Sequence, residues 1–325
     1  MTTAGRFLDF AAVARAHGSP LYAEWASGLA RDEAVLEVLA RARPAQRQPV
    51  LVFAVCRFLG AGEGSYTDFR EWMLRRPEQW LAELDSRLTQ TNDARRTAPV
   101  ALALAAAEID APVALLEVGA SAGLGLYPDA FSIEVREGGV VTGVLGDPDS
   151  IVRLDIEVEN AETSAQDHRA LPLIVHRAGL DLAPLDVGSP ADALWLETLL
   201  WPGQTDRVEL LRAAIEVARR DPARVIAGDA VEALEKLVSA APTGVVPVVV
   251  TAGTLVYLPG ARRQAFVDEV ARLGVRWISY EKTGLLDGIH ATIRDPAPAT
   301  DFATLALDGR ALGLGDAHGT RLRWL

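Results

Sequence analysis

The sequence is poor in cysteine and histidine, the residues that stabilise folds through disulfides or bound metal ions. It contains one cysteine, Cys56, and five histidines in 325 residues. A single thiol cannot form an internal disulfide, and the histidines are too scattered for a zinc site, so no metal is expected. Positive charge is also in deficit, because 32 lysines and arginines stand against 44 acids and leave a net charge of −12. This balance argues against a nucleic acid as the main partner.

Long hydrophobic runs are lacking as well. No stretch reaches the roughly 18 uncharged apolar residues that a membrane-spanning helix needs. The opening residues, MTTAGRFLDF, carry charges and have no apolar core of the secretory kind. Yet 50% of all residues are apolar, which is enough for a sizeable core and argues against disorder. We therefore expect a cytoplasmic protein without a membrane partner.

The pattern of apolar residues changes near residue 111. Residues 1–110 show helical spacing throughout, as in LYAEWASGLARDEAVLEVLARA, and predict an all-helical N-terminal cap subdomain. From 111 to 325, apolar strands alternate with amphipathic helices, which is typical of an α/β fold with a mostly parallel sheet. The predicted strands are 111–118, 171–182, 223–229, 245–253 and 275–281.

Two further segments read as additions to this sheet. Strict alternation in RLDIEVE predicts an antiparallel hairpin insertion near residues 131–160, with one face in water. The C-terminal strings DFATLALDG and RALGLGDAHGTRLRWL predict a second antiparallel hairpin. The sequence thus predicts a helical cap at 1–110 and one sheet domain at 111–325.

The string LLEVGASAGLGL at 115–126 is the most informative motif. A buried strand ends in Glu117 and passes into a turn that contains Gly119, Ser121 and Gly123. Glycine tolerates positive φ and lets backbone amides approach a ligand, so the turn could hold a carboxylate or a ribose. The alternative is a tight turn without a ligand. A dinucleotide site fits less well, since Ser121 replaces its second glycine and the following helix is cut short.

Acids also stand at the ends of later strands. In GLDLAPLDV (179–187), Asp181 could accept both hydroxyls of a ribose, or it could be a turn or helix-capping aspartate. Glu134 is the fallback candidate for that role. In VIAGDAVEALEKL (225–237), Asp229 could contact a base or cap the next helix, and both roles can coexist. The fourth strand ends at Thr251 and the fifth at Glu281.

Taken together, these strand ends resemble the motifs of the class I S-adenosylmethionine-dependent methyltransferases over about residues 111–325. The resemblance implies a Rossmann-like sheet, S-adenosylmethionine as cofactor, and methyl transfer to a small-molecule substrate. It implies cofactor contacts from the residues named at the strand ends, which are Glu117, Gly119, Ser121, Gly123, Asp181, Asp229 and Thr251. The whole chain also resembles a bacterial domain family of unknown function, through TQTNDARR (89–96), LLEVGASAGL, HRAGLDLAPLDV and LWLETLLWPGQTDR (194–207). That family implies no activity.

Two strings are candidates for substrate binding. Asn92, Arg95 and Arg96 precede the first strand and could border the cofactor pocket, or they could form a solvated helix start with Thr91 or Asn92 as its cap. Trp201 and Arg207 could line a substrate pocket, with the guanidinium on a carboxylate or phosphate. The alternative is a pair of core tryptophans, Trp195 and Trp201, beside a helix cap at Asp206.

No catalytic signature stands out. Candidates for a general base or another catalytic group are Tyr257, Glu281 and His290, and His318 is near a strand end as well. A methyltransferase mainly aligns its reactants, so a weak signature is compatible with that activity. Two other functions stay open at this point: a non-catalytic nucleotide-binding or regulatory module, and an NAD-dependent oxidoreductase.

Overall fold

The computed structural model describes residues 2–90, 92–160, 170–293 and 303–325. The chain divides into two compact units, Met1–Thr91 with Gly188–Leu211, and Asn92–Val187 with Arg212–Leu325. The described residues form twelve α-helices and one sheet of eleven strands, with a helical N-terminal region. The predicted fold class is confirmed: the sheet is mostly parallel and its C-terminal strands are antiparallel.

The helices have the following bounds in the described ranges: α1 Thr3–Ala16, α2 Pro20–Leu29, α3 Glu33–Leu39, α4 Pro49–Phe58, α5 Tyr66–Arg75, α6 Pro77–Ser86, α7 Thr97–Ala106, α8 Pro190–Leu199, α9 Thr205–Arg220, α10 Leu234–Ser239, α11 Gly260–Leu273 and α12 Asp287–His290. The strands are β1 Val113–Val118, β2 Ser132–Glu137, β3 Val140–Gly146, β4 Arg153–Glu159, β5 Ile174–Asp181, β6 Arg224–Ala227, β7 Val246–Ala252, β8 Arg276–Lys282, β9 Ala303–Leu307, β10 Arg310–Gly315 and β11 Arg321–Trp324.

The starts of the helices follow from local sequence. Proline occupies the first turn of α2, α4, α6 and α8, where its missing N–H costs nothing and its fixed φ suits the helix. Asp32 caps α3 by accepting from the amide of Val35 at 3.2 Å. Ser65 and Asp68 form a reciprocal capping box at the start of α5.

The helical unit has an aromatic core. The rings of Trp25 and Phe69 stack with centroids 4.0 Å apart. Phe53 meets Trp25 edge-on at 5.6 Å and Tyr22 at 5.0 Å. All four side chains are fully buried, so this cluster contributes a large share of the unit's hydrophobic stabilisation.

Arg57 ties the segment 188–211 to the N-terminal helices. Its Nη1 donates to the carbonyl oxygens of Thr198 at 3.0 Å and Leu200 at 2.8 Å, at the end of α8. Its Nη2 pairs with Glu63 at 2.8 Å. These charge-assisted bonds satisfy carbonyls that the end of a helix leaves open, so Gly188–Leu211 belongs with the helical unit.

The sheet has the order β3-β2-β4-β11-β10-β9-β8-β7-β1-β5-β6. Strands β8, β7, β1, β5 and β6 are adjacent in this order and parallel to one another. β1 lies inside this parallel part and is buried along its whole length, as its uninterrupted apolar sequence requires.

The chain reverses its direction of travel across the sheet at β1. It proceeds from β1 to β5 and β6 on one side, then crosses to β7 and β8 on the other. The order of the five parallel strands is that of a Rossmann-like sheet. The point between β1 and β7 is a topological switch point, and ligands of open α/β sheets bind outside the carboxyl ends of strands at such a point.

The remaining strands extend the sheet on the β8 side. β9, β10 and β11 run antiparallel in sequence, and β11 then pairs in parallel with β4. β2 and β3 form an antiparallel hairpin, while β4, with its alternating burial, pairs in parallel with β2. Among the residues described, no helix has both the length and the apolarity to cross a bilayer.

Candidate functional site

The turn after β1 is built from left-handed residues. Gly119, Ser121 and Gly123 have φ values of 78°, 52° and 75°. Gly119 needs its lack of a side chain, because a Cβ there would lie 2.1 Å from Oγ1 of Thr254. Serine rarely adopts positive φ, so the conformation of Ser121 is held by its surroundings.

Asp181 stabilises the left-handed conformation of Ser121. It ends β5, and its Oδ2 accepts a hydrogen bond from the amide of Ser121 at 2.8 Å. Its Oδ1 accepts from the amide of Ala183 at 2.9 Å, and the amide of Leu185 donates to the carbonyl of Ser121 at 3.1 Å. The turns after β1 and β5 are therefore joined on the side of β1 opposite to β7, next to the switch point. These hydrogen bonds agree with the interpretation of Asp181 as a turn aspartate. Its contact with a ribose stays a prediction.

Glu117 lies buried beneath this turn. It is 8% exposed, and its Oε2 finds no hydrogen-bond partner among the described residues. Burial raises the pKa of Glu117 to about 8, the nearby Asp181 carboxylate raises it as well, and Arg96 opposes both. Ser121 Oγ is also buried and has no partner in the described part of the chain. Two polar atoms at the first strand tip are thus left unsatisfied.

A second buried carboxylate lies at the end of β8. Glu281 Oε1 accepts from the amides of Thr254 at 3.0 Å and Leu255 at 3.1 Å. Its Oε2 has no partner within the described ranges, and the residue is 2% exposed. Burial raises the pKa of Glu281 to about 7, although the two amides, Arg96 and the nearby Thr251 side chain lower it. Thr251, fully buried at the end of β7, accepts from the indole N–H of Trp277 at 3.2 Å.

The segment before α7 connects these strand tips. Asn92 Nδ2 donates to the carbonyl of Ala120, in the turn after β1, at 2.9 Å. Arg96 Nη1 donates to the carbonyl of Ala252, at the end of β7, at 3.1 Å. The guanidinium of Arg96 lowers the pKa of both Glu117 and Glu281. The structure thus brings Asn92 and Arg96 to the edge that carries the cofactor candidates.

Arg95 is engaged differently. Its Nε and Nη2 bind the two carboxylate oxygens of Asp93 at 2.9 and 2.6 Å. Asp93 also accepts from the amide of Arg95 at 3.3 Å, so Asp93, and not Asn92, caps the short 3-10 turn that leads into α7. The other proposed cap, Thr91, lies outside the described residues.

Asp229 shows the capping role foreseen as its alternative. It follows β6, and its Oδ1 accepts from the amides of Val231 at 2.8 Å and Glu232 at 3.3 Å, in the turn that leads to α10. It also pairs with Arg262. Burial raises the pKa of Asp229, but the two amides and the guanidinium outweigh it, so the pKa lies below its usual range. Its contact with a ligand is still a prediction.

The two other catalytic candidates lie near the surface. Tyr257 is 72% exposed in a short turn after β7. His290 ends the four-residue helix α12 and is also exposed. Neither is buried as Glu281 is, so the three candidates occupy environments of different kinds.

The remaining substrate candidates belong to the helical unit. Trp201 packs edge-on against Phe10 with ring centroids 5.1 Å apart, and Arg207 Nη1 donates to Gln204 Oε1 at 2.9 Å. Trp195 is fully buried. The packing of Trp201 agrees with the structural alternative, and a substrate contact of Trp201 or Arg207 stays a prediction.

A family model matches residues 4–324, which is nearly the whole chain. The chain belongs to the family DUF2332. The family carries the description "Uncharacterized protein conserved in bacteria". No curated protein and no solved structure matches the chain. Membership in DUF2332 supplies no activity, so the chemistry has to be argued from the site.

Sequence reasoning did not find two parts of this DUF2332 site. Asp93 lies inside the TNDARR string but was passed over, and it contacts His318 from 225 positions away. Thr254 packs against Gly119 and donates its amide to Glu281. The available signal was the position of Asp93 among four other polar residues of TNDARR, ahead of a buried strand.

The geometry allows one kind of chemistry better than others. Backbone amides, Asp181 and three buried side-chain atoms without a partner among the described residues lie at the carboxyl ends of β1, β5, β7 and β8. Within the described ranges, no group of three or more histidine, cysteine or acidic residues could hold a metal ion. The arrangement can recognise a polar ligand by hydrogen bonds and hold it above the switch point.

Proposed function

We propose that this DUF2332 protein binds S-adenosylmethionine at the carboxyl ends of β1 and β5 and transfers its methyl group to a small molecule. The observation that carries the proposal is a hydrogen bond beside the switch point. The amide of Ser121, in the left-handed turn, donates to Oδ2 of Asp181 at 2.8 Å. An acid at the tip of the second strand beside a glycine-rich turn after the first is the arrangement that receives a nucleoside in such sheets.

The residues present fit such a ligand. Glu117 Oε2 and Ser121 Oγ are buried without partners among the described residues, and a ligand's hydroxyl or amino groups would satisfy them. Natural proteins rarely leave such atoms unsatisfied, because each costs about 1–3 kcal/mol. A carboxylate oxygen also accepts more than one hydrogen bond, so Asp181 can keep its amide contacts and still receive ribose hydroxyls.

The chain's contribution to methyl transfer would be mainly alignment. When bound, S-adenosylmethionine supplies an electrophilic methyl group on a sulfonium. The turn at 119–123 and Asp181 would orient the nucleoside, and the segment 92–96 would border the acceptor. Holding two reactants at attack distance can supply most of the rate enhancement for such a displacement.

Titration calorimetry with S-adenosylhomocysteine and, separately, with NAD tests the proposal. We expect S-adenosylhomocysteine to bind and NAD to give no heat. Ser121→Ala removes only the unpartnered hydroxyl, and Asp181→Ala removes the carboxylate. Asp181→Ala should weaken binding by about 2 kcal/mol, the scale of a charge-assisted hydrogen bond.

Glu134→Ala is the matched control. Glu134 is an acid on β2 of the same sheet and pairs with Arg136, so binding should not change. Equal affinities for wild type, Ser121→Ala and Asp181→Ala would place the ligand elsewhere. Binding of NAD in place of S-adenosylhomocysteine would support an oxidoreductase, and binding of S-adenosylhomocysteine without any methyl transfer would support a regulatory module.

A further inference from the structure

His318 forms a carboxylate–imidazole pair with Asp93. The Nδ1 atom of His318 lies 3.1 Å from Oδ2 of Asp93. The Asp93 side chain is 4% exposed, while that of His318 is 44% exposed. The pair therefore has a buried anchor and an accessible imidazole.

The carboxylate fixes the tautomer of the ring. Asp93 receives both N–H groups of the Arg95 fork, at 2.9 and 2.6 Å, which is an ion pair of a carboxylate with a guanidinium. An ionised carboxylate only accepts hydrogen bonds, so Nδ1 of His318 must be the donor. In the neutral ring, Nε2 then carries the lone pair and can accept a proton.

The loop that carries His318 is held by its own aspartate. Asp316 Oδ1 accepts from the amides of His318 at 2.7 Å, Gly319 at 2.7 Å and Thr320 at 3.2 Å. Gly319 packs so closely on the backbone of Arg95 that a Cβ would lie 2.8 Å from the Arg95 carbonyl. The imidazole is therefore positioned from both sides.

The pair lies at the same edge as the cofactor candidates. Asn92, the neighbour of Asp93, donates to Ala120 in the turn after β1. Arg96 Nε donates to the carbonyl of Ala317 at 3.2 Å, and its Nη1 reaches Ala252 at the end of β7. One short segment thus contacts the cofactor turn, the β7 tip and the loop of His318.

We propose that His318 is the general base of the methyl transfer and that Asp93 is its positioning residue. This inference rests on the proposed function. It also specifies the substrate class, a small molecule whose O–H or N–H group must lose its proton on methylation. His318 Nε2 takes that proton while the acceptor's lone pair forms the bond to the methyl carbon. The carbon–sulfur bond breaks and its electron pair stays on sulfur.

The charges around the ring suit this role. The imidazolium that forms faces the carboxylate of Asp93 at its Nδ1, as in a His–Asp catalytic pair. On the segments 92–96 and 315–320, the other charged groups are Arg95, Arg96 and Asp316. Both guanidiniums are directed to other acceptors, Arg95 to Asp93 and Arg96 to Ala252 and Ala317.

Nitrogen NMR of the histidine rings at pH 8.5 tests the geometry of the pair. His318→Asn assigns the His318 resonances by their disappearance. We expect the wild-type ring to carry its proton on Nδ1, and Asp93→Ala to restore the Nε2–H tautomer that a free imidazole prefers. A wild-type ring protonated on Nε2 would overturn the inference.

Adding S-adenosylhomocysteine to the same sample tests the location. We expect the His318 ring signals to shift at saturation while those of His17, in the helical unit, stay in place. Binding by calorimetry without any shift at His318 would sink this inference and leave the proposed function intact. Failure of S-adenosylhomocysteine to bind would instead refute the proposed function.

Turnover of methyl-labelled S-adenosylmethionine with a deproteinised bacterial small-molecule extract tests the chemistry. His318→Asn should lower the rate by about 10²–10⁴-fold, the usual worth of a general base. The affinity for S-adenosylhomocysteine should stay within about twofold, and added imidazole should restore part of the rate. Asp93→Ala should lower the rate and alter its pH profile. Wild-type turnover by His318→Asn would disprove the role.

Discussion

Two regions of the same sheet, the carboxyl ends of β1 and β8 and the β2–β3 hairpin, hold their acidic side chains in opposite environments. At the carboxyl ends of β1 and β8, Glu117 and Glu281 are buried, and each has one oxygen without a partner in the described part of the chain. On the β2–β3 hairpin, Glu134 pairs with Arg136, and about a third of each side chain is exposed.

The difference is one of free energy. A paired and partly exposed acid destabilises a fold little, because water and its partner both stabilise the charge. A buried acid with an empty acceptor keeps its proton or destabilises the protein. Acids of the second kind at a switch point are typical of sites that a ligand completes. The comparison therefore supports the proposed site without using any motif.

The largest expected effect is a pH dependence of stability from Glu117. Its pKa is raised to about 8 in the fold against 4.5 as a model value. The folded state thus binds more protons than the unfolded state between these values, so stability falls as the pH rises through this window. The loss should be on the order of 4 kcal/mol by pH 8. Urea unfolding of Glu117→Gln at pH 5 and pH 8 should show a smaller loss than in wild type, and an unchanged loss would contradict this assignment.

Glu281 should make a smaller contribution of the same sign. Its pKa is raised to about 7, so stability should fall between pH 4.5 and 7 and change little above. Glu281→Gln keeps an oxygen that can accept from Thr254 and Leu255, and it should flatten this part of the profile only. The expected change is on the order of 3 kcal/mol. The Glu117→Gln,Glu281→Gln double variant should be flatter than either alone, which urea titrations at several pH values can check.

One glycine from each of these two regions, Gly119 after β1 and Gly138 in the β2–β3 turn, can be compared by the same substitution. Gly119→Ala places a Cβ 2.1 Å from Thr254 Oγ1, whereas a Cβ at Gly138, in the β2–β3 turn, meets nothing within 4 Å. Both residues have positive φ, at 78° and 56°, so both alanines are strained by about 1–2 kcal/mol. Gly119→Ala should cost roughly 2 kcal/mol more than Gly138→Ala because Thr254 must also move. Thermal unfolding measures the difference, and Thr254→Gly should remove most of it.

The sequence could predict the strand tips but not their partners. β1 spans Val113–Val118 against an expected 111–118, because a run of apolar residues closed by a glycine turn has one ready interpretation. In contrast, the hydrogen bond between Asp181 and Ser121 connects positions 60 apart in the sequence, and that between Asp93 and His318 connects positions 225 apart. Local periodicity states which residues reach an edge of a sheet. It carries no information on which distant side chain completes a hydrogen bond there.

Asp229 shows the same limit from the other direction. Its place after a strand matches the methyltransferase pattern, yet its carboxylate meets two amides and Arg262, which is 33 positions away. Nothing in the string GDA distinguishes an acid that awaits a ligand from one already paired. That information comes only from the folded chain, in which Glu117 is buried and its Oε2 has no partner among the described residues.

The smallest expected effect is at the hairpin edge, where Glu134→Gln should change stability by less than about 1 kcal/mol. Glu134 and Arg136 are two residues apart on one strand, and each keeps about a third of its side chain in water. Exposed ion pairs of this kind contribute little, since screening and lost side-chain entropy offset their attraction. The slope of stability against pH between 5 and 8 should match that of wild type in urea titrations. If Glu134→Gln altered the slope of stability against pH as strongly as Glu117→Gln does, burial would not explain the difference between the acids at the strand ends and those on the hairpin.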